Sequence, residues 1–138
     1  MVAPARILLV EDDDEAEATA ELLRDIGFQA VRVRDGKAAL AALDRNPTIE
    51  LVMSDIVMPG GMSGLELART LRERRPELMV VMATGYSQYA LQVVKEGFAL
   101  VEKPYRRDVL AASLRAAVER GRRAESVHWP ADLSAHPS

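Results

Sequence analysis

Short apolar runs alternate with longer amphipathic stretches along the chain. Ile7-Leu8-Leu9-Val10, Ala30-Val31-Arg32-Val33, Leu51-Val52-Met53, Met79-Val80-Val81-Met82-Ala83 and Ala99-Leu100-Val101 have strand length. They carry almost no polar alternation, which predicts strands covered on both faces, as in a parallel sheet. Helical spacing fills the gaps. Residues 14–26 put Ala16, Ala20, Leu23 and Ile26 on one face, and Gly27 supplies a stop. Residues 36–45 are rich in alanine and leucine and end before Asn46-Pro47. Residues 64–75 align Leu65, Ala68 and Leu71 and end where Pro76 restricts the preceding residue. Residues 88–96 end at Gly97, and residues 106–121 align Leu110, Leu114, Ala117 and Val118. Five βα units with right-handed crossovers predict an α/β fold: a doubly wound, five-stranded parallel sheet with helices on both faces.

Residues 122–138 break the pattern, with Pro130, Pro137 and little apolar periodicity, and read as a flexible tail or linker. Both histidines, His128 and His136, and Trp129 fall there. Composition narrows the chemistry. With no cysteine, a disulfide framework, a thiolate metal site and a thiol nucleophile are excluded. Formal net charge is −3, so a global basic footprint for nucleic acid is absent. No apolar run has bilayer-spanning length and the first residues lack a signal-peptide core, so a cytoplasmic protein without membrane contact is expected. The small net charge hides five consecutive acids, Glu11 to Glu15.

Ligands of open parallel sheets bind beyond the carboxyl ends of the strands. There the chain carries Glu11 and Asp12 after strand 1, Ser54 and Asp55 after strand 3, Thr84 and Gly85 after strand 4, and Glu102-Lys103-Pro104 after strand 5. Each has a bland reading alone: Asp55 as a turn residue, Thr84 as a loop hydroxyl, Lys103 as a solvated lysine. Asp13 to Glu15 suit a helix start, by capping and by favouring the positive N-terminus. Together, carboxylates from two strand ends repel unless a cation joins them. An all-oxygen donor set suits Mg²⁺, and a nearby hydroxyl and ammonium suit a phosphoryl group.

These residues resemble the receiver domain of two-component response regulators over about residues 5–121. The resemblance rests on Leu9-Val10-Glu11-Asp12-Asp13, Ser54-Asp55-Ile56-Val57-Met58-Pro59-Gly60, Ala83-Thr84-Gly85-Tyr86 and Glu102-Lys103-Pro104-Tyr105, in that order. It implies a (βα)5 flavodoxin-like fold with strand order 2-1-3-4-5, and a receiver at residues 1–121. Asp55 becomes the phosphoacceptor. Asp12 becomes a direct Mg²⁺ ligand with Asp55 and the Val57 carbonyl, and Glu11 acts through water. Thr84 is the switch hydroxyl, Lys103 pairs with a phosphoryl oxygen, and the Lys103-Pro104 bond is cis. Val57 and Tyr86 flank the approach of hydrolytic water.

The implied donor is a sensor histidine kinase or a histidine phosphotransfer protein. The implied output is a surface of helix 4, strand 5 and helix 5, read by another protein or by homodimerisation on phosphorylation. Three departures stand out. Leu100 occupies the place of the family's aromatic switch. The loop Met58-Pro59-Gly60-Gly61-Met62-Ser63-Gly64 is one residue longer than the commonest form and has Ser63 where Asp is usual, resembling receivers that work with hybrid sensor kinases. No DNA-binding domain follows helix 5, so direct DNA binding is not expected. Two rivals lack their chemistry. A haloacid dehalogenase-type phosphatase needs an acid at Val57, and a flavodoxin needs a phosphate-cradling loop where the five acids stand.

Overall fold

A computed structural model describes residues 4–58, 61–85 and 87–134. Pro59, Gly60 and Tyr86 lie outside the described residues, as do residues 135–138. The chain alternates strand and helix throughout: β1 (Arg6–Val10), α1 (Ala16–Ile26), β2 (Gln29–Val33), α2 (Gly36–Arg45), β3 (Ile49–Asp55), α3 (Gly64–Arg74), β4 (Met79–Thr84), α4 (Ser87–Lys95), β5 (Ala99–Glu102) and α5 (Arg107–Ser134). The five strands form one parallel sheet in the order β2-β1-β3-β4-β5, the flavodoxin-like arrangement. Leu8 pairs with Val31 on one side and Val52 on the other, and Met53 pairs with Val81.

Strand periodicity divides the core. Successive side chains point to opposite faces, so each apolar run supplies both layers. Ile7, Leu9, Leu51, Met53, Val81 and Ala83 pack with Ala20, Leu23 and Ile26 of α1 and with Leu110, Leu114 and Ala117 of α5. On the other face, Leu8, Val10 and Val52 meet Ala39 and Leu43 of α2 and Leu67 and Leu71 of α3. Met82 joins Ala68 of α3 and Val93 of α4 there. Strand β2 differs from the doubly covered expectation. It is one of the two sheet edges, with half-buried and exposed positions and an exposed Val31.

Local signals set the helix ends. Gly27 takes φ 119°, and its N–H donates to the Arg24 carbonyl while the Phe28 N–H donates to Leu23, closing α1 in a left-handed turn. Ser63 and Glu66 form a reciprocal capping box at α3. Asp35 caps α2 by accepting from the Ala38 N–H. Helix α1 begins two residues later than the pattern predicts, because Asp13 Oδ1 takes the Glu15 N–H in a preceding turn. Helix α5 continues past residue 121, where the apolar stripe ends. Gly121 lies so close to Met79 that a Cβ would come within 2.9 Å of its Cγ. Arg122 then makes a two-pronged bond to Glu50 at the base of the sheet. The Lys103-Pro104 bond is cis, as expected.

Candidate functional site

The parallel register brings the carboxyl ends of the strands to one edge. The Glu11 N–H donates to Val33, Ile56 to Ala83, and Lys103 to Thr84, so the turns after β1, β3 and β5 are each tied to a neighbouring strand. Between them opens a cavity of about 430 Å³, lined by Asp13, Glu15, Asp55, Val57, Ala83, Thr84, Gly85 and Lys103. Asp55, Thr84 and Lys103, expected from three separate strand ends, therefore meet.

At its centre the Lys103 Nζ stands 2.7 Å from Asp55 Oδ1. Burial pushes the Asp55 carboxyl above its ordinary range, against the lowering effect of Lys103. Burial alone would lower the Lys103 ammonium; the Asp55 contact outweighs it and holds the pKa up. Glu11 lies beside this pair and is only 1% exposed, yet neither of its carboxylate oxygens has a hydrogen-bond partner. Burial, and then the Asp55 charge, push its pKa up to about 7. Tyr105 shares the environment: its hydroxyl is buried without a partner, and burial and the surrounding carboxylates raise its pKa.

A buried carboxylate lacking any donor needs a proton or a cation. Glu11, Asp55 and the acids on the cavity wall are hard oxygen donors, so the residues present fit Mg²⁺. Among the described residues, no three acidic side chains stand close enough to hold an ion by direct contact alone.

Two parts of the site were not anticipated. Asp13 and Glu15, read as helix-start residues, line the cavity, whereas Asp12 is not among the lining residues. The unbroken run of acids signalled charge at this place but not which members face inward. Arg32, on edge strand β2, donates to the carbonyls of Glu11, Asp12 and Asp13. Its signal in the sequence was a lone cation within an apolar strand run. Leu100 is half-buried against Ile56, Ala68, Met82, Val93 and Phe98 and has no polar group with which to answer Thr84.

The fold is that of a receiver domain, and comparison with known proteins agrees. The chain belongs to the response regulator receiver domain family, which matches residues 7–115. It is 40% identical over 121 residues to the sensory transduction protein RegX3 of Mycobacterium tuberculosis, covering 83% of this chain and 51% of RegX3. It is 37% identical over 87 residues to the response regulator receiver protein CpdR of Brucella abortus, covering 62% of this chain and 71% of CpdR. The chain thus spans about half the length of RegX3. Among solved structures, NtrX of Brucella abortus superposes with a TM-score of 0.82 at 30% identity, over 90% of this chain and 29% of that one.

Proposed function

We propose that Asp55 accepts a phosphoryl group from a phosphohistidine of a sensor histidine kinase or histidine phosphotransfer protein. The observation that carries this is the Lys103–Asp55 contact of 2.7 Å inside a cavity that also holds Thr84. An Asp55 carboxylate oxygen attacks phosphorus. The P–N bond breaks with its electron pair on the imidazole nitrogen, which takes up a proton, and an acyl phosphate forms on Asp55. Lys103 stays beside the transferred group and offsets charge on one of its oxygens. Mg²⁺, when held by the acids of the cavity and the Val57 carbonyl, supplies further positive charge to the phosphoryl oxygens. Water later attacks phosphorus, the acyl P–O bond breaks, and inorganic phosphate leaves with the Asp55 carboxylate restored. The chain is thus a switch acting on itself rather than a turnover enzyme.

A phosphoryl group adds up to about two negative charges and several acceptors, which draw the Thr84 hydroxyl inward. Thr84 ends β4 and leads to α4 through Gly85. Helix α4 presents Tyr89, Leu91 and Val94 to solvent, and Val109 of α5 is also exposed. Apolar side chains left in solvent beside the moving segment support an output surface for another protein or a second copy. Residues 1–121 then act as the receiver, in the cytoplasm, with the segment from 122 as its connection onward. Incubation with Mg²⁺ and a small acyl phosphate, followed by intact-mass spectrometry, tests the reading. One added phosphoryl group, lost in Asp55→Asn, is expected. No adduct, or one that survives Asp55→Asn, overturns it.

A further inference from the structure

We propose that the foot of the sheet carries a binding site for a small organic anion with a flat apolar body, an aryl carboxylate or aryl phosphate, gripped between Arg72 of α3 and Arg120 of α5. A cavity of about 510 Å³ opens there. It lies by the first residues of β4 and β5, whereas Asp55 and Thr84 stand at the opposite, carboxyl ends of their strands. Its size is that of a small-molecule pocket. The walls include Phe98, which is buried, and Val80 and Ala99, which are half-buried; the exposed Val94 of α4 adds to them. Among the described residues, none that lines this cavity is acidic, and its two charged groups are both guanidiniums. In a chain of net charge −3, that local excess of positive charge over an apolar floor complements an anion with an apolar body.

Arg72 is already set for this task. Its guanidinium carbon stands 3.8 Å from the centre of the Phe98 ring, and its Nη2 donates to the Glu96 carbonyl at 2.6 Å. One face and one edge of the group are therefore fixed. Neither Nε nor Nη1 makes a hydrogen bond among the described residues. The Glu96 carboxylate, which could have satisfied them, is held instead by Arg69 and Gln92. A planar fork fixed in advance loses little side-chain freedom when it takes a carboxylate or phosphate. Arg120 supplies the second cation. It is exposed and has no hydrogen bond or ion pair among the described residues. A flat apolar body between the two arginines would cover Val80, Phe98 and Ala99, which a bare inorganic anion cannot do.

Backbone NMR titration of the full chain in EDTA tests the site without any phosphoryl transfer. The probes are naphthoate, naphthyl phosphate, the neutral naphthylmethanol and inorganic phosphate. Naphthoate or naphthyl phosphate should saturate with a Kd of about 1 mM or below. The largest shifts should fall on Arg72, residues 97–99 and Arg120. Whichever of the two binds more tightly identifies the anionic group, and either result supports the site. Naphthylmethanol and inorganic phosphate should each bind about tenfold more weakly or worse, the first lacking the charge and the second the body. Arg120→Gln, at an exposed position without a partner, should fold and should weaken the better probe about tenfold. Val94→Glu, also at an exposed position, places an acid beside the cavity and should weaken it about threefold or more. No saturation of either aromatic anion, shifts centred on Asp55 and Lys103 instead, equal binding of naphthylmethanol, or an unchanged Arg120→Gln protein overturns the inference.

Discussion

Gly64, the first residue of α3, offers a sharp test of how the fold holds Asp55. A Cβ built there would stand 1.8 Å from the Asp55 carbonyl oxygen and 2.9 Å from the Ile56 Cα. That is about 1.5 Å short of ordinary contact. The obstructing atoms are backbone, so no side chain can rotate away. The same carbonyl accepts the Ser54 hydroxyl at 2.9 Å, and the Gly64 N–H donates to Ile56 at 2.8 Å, so the turn is bound on both sides. Gly64→Ala must push α3 away from the end of β3. Overpacking costs about 1–3 kcal/mol, and a backbone clash belongs at the upper end or beyond. For a domain of this size that is a loss of roughly 10 °C in Tm. Urea denaturation measures the first figure and a thermal melt the second. Gly85→Ala is the control, since a Cβ there meets nothing within 4 Å. It should leave stability within about 0.5 kcal/mol. Phosphorylation of Gly64→Ala should also slow, because Asp55 moves. A Gly64→Ala protein as stable as wild type would refute the reasoning.

Other outcomes follow from single contacts. Ser63→Ala removes one half of the capping box at α3 and should cost about 1 kcal/mol by urea denaturation. Lys103→Met removes the group that holds the Asp55 carboxyl down, so the Asp55 midpoint should rise further when followed by carboxyl NMR. In EDTA, the folded state binds the Glu11 proton more tightly than the unfolded chain. Stability should therefore fall as pH rises from about 4.5 to about 7 and level off above, by up to about 3 kcal/mol. Glu11→Gln, which does not titrate, should flatten that part of the profile. Added Mg²⁺ should recover stability in wild type above pH 7 and do less in Glu11→Gln.

The architecture was legible because its signals are local. Uninterrupted apolar runs are what strands buried on two faces require, and Gly27 and Pro76 mark helix ends by their own backbone restrictions. Edge exposure of β2 was less legible, since a run such as Ala30-Val31-Arg32-Val33 looks alike at the centre and the edge until its neighbours are known. The end of α5 was hidden for a similar reason. Gly121 reads as a helix breaker alone, but here it allows close approach to Met79, and Arg122 finds Glu50 from another part of the chain.

The same division holds at the site. The sequence by itself determined that carboxylates, a hydroxyl and an ammonium follow the strands, because residue type and strand spacing are written along the chain. Parallel pairing then brings Asp55, Thr84 and Lys103 to one cavity, 48 residues apart though Asp55 and Lys103 are. Which of five consecutive acids faces that cavity was decided only by tertiary structure. Five like residues carry no internal mark of direction. Their placement goes with the Glu11–Val33 hydrogen bond just beyond the end of β1, and with Arg32, which reaches three carbonyls from the adjacent strand. Both constraints come from β2, and neither can be read from the acidic run itself.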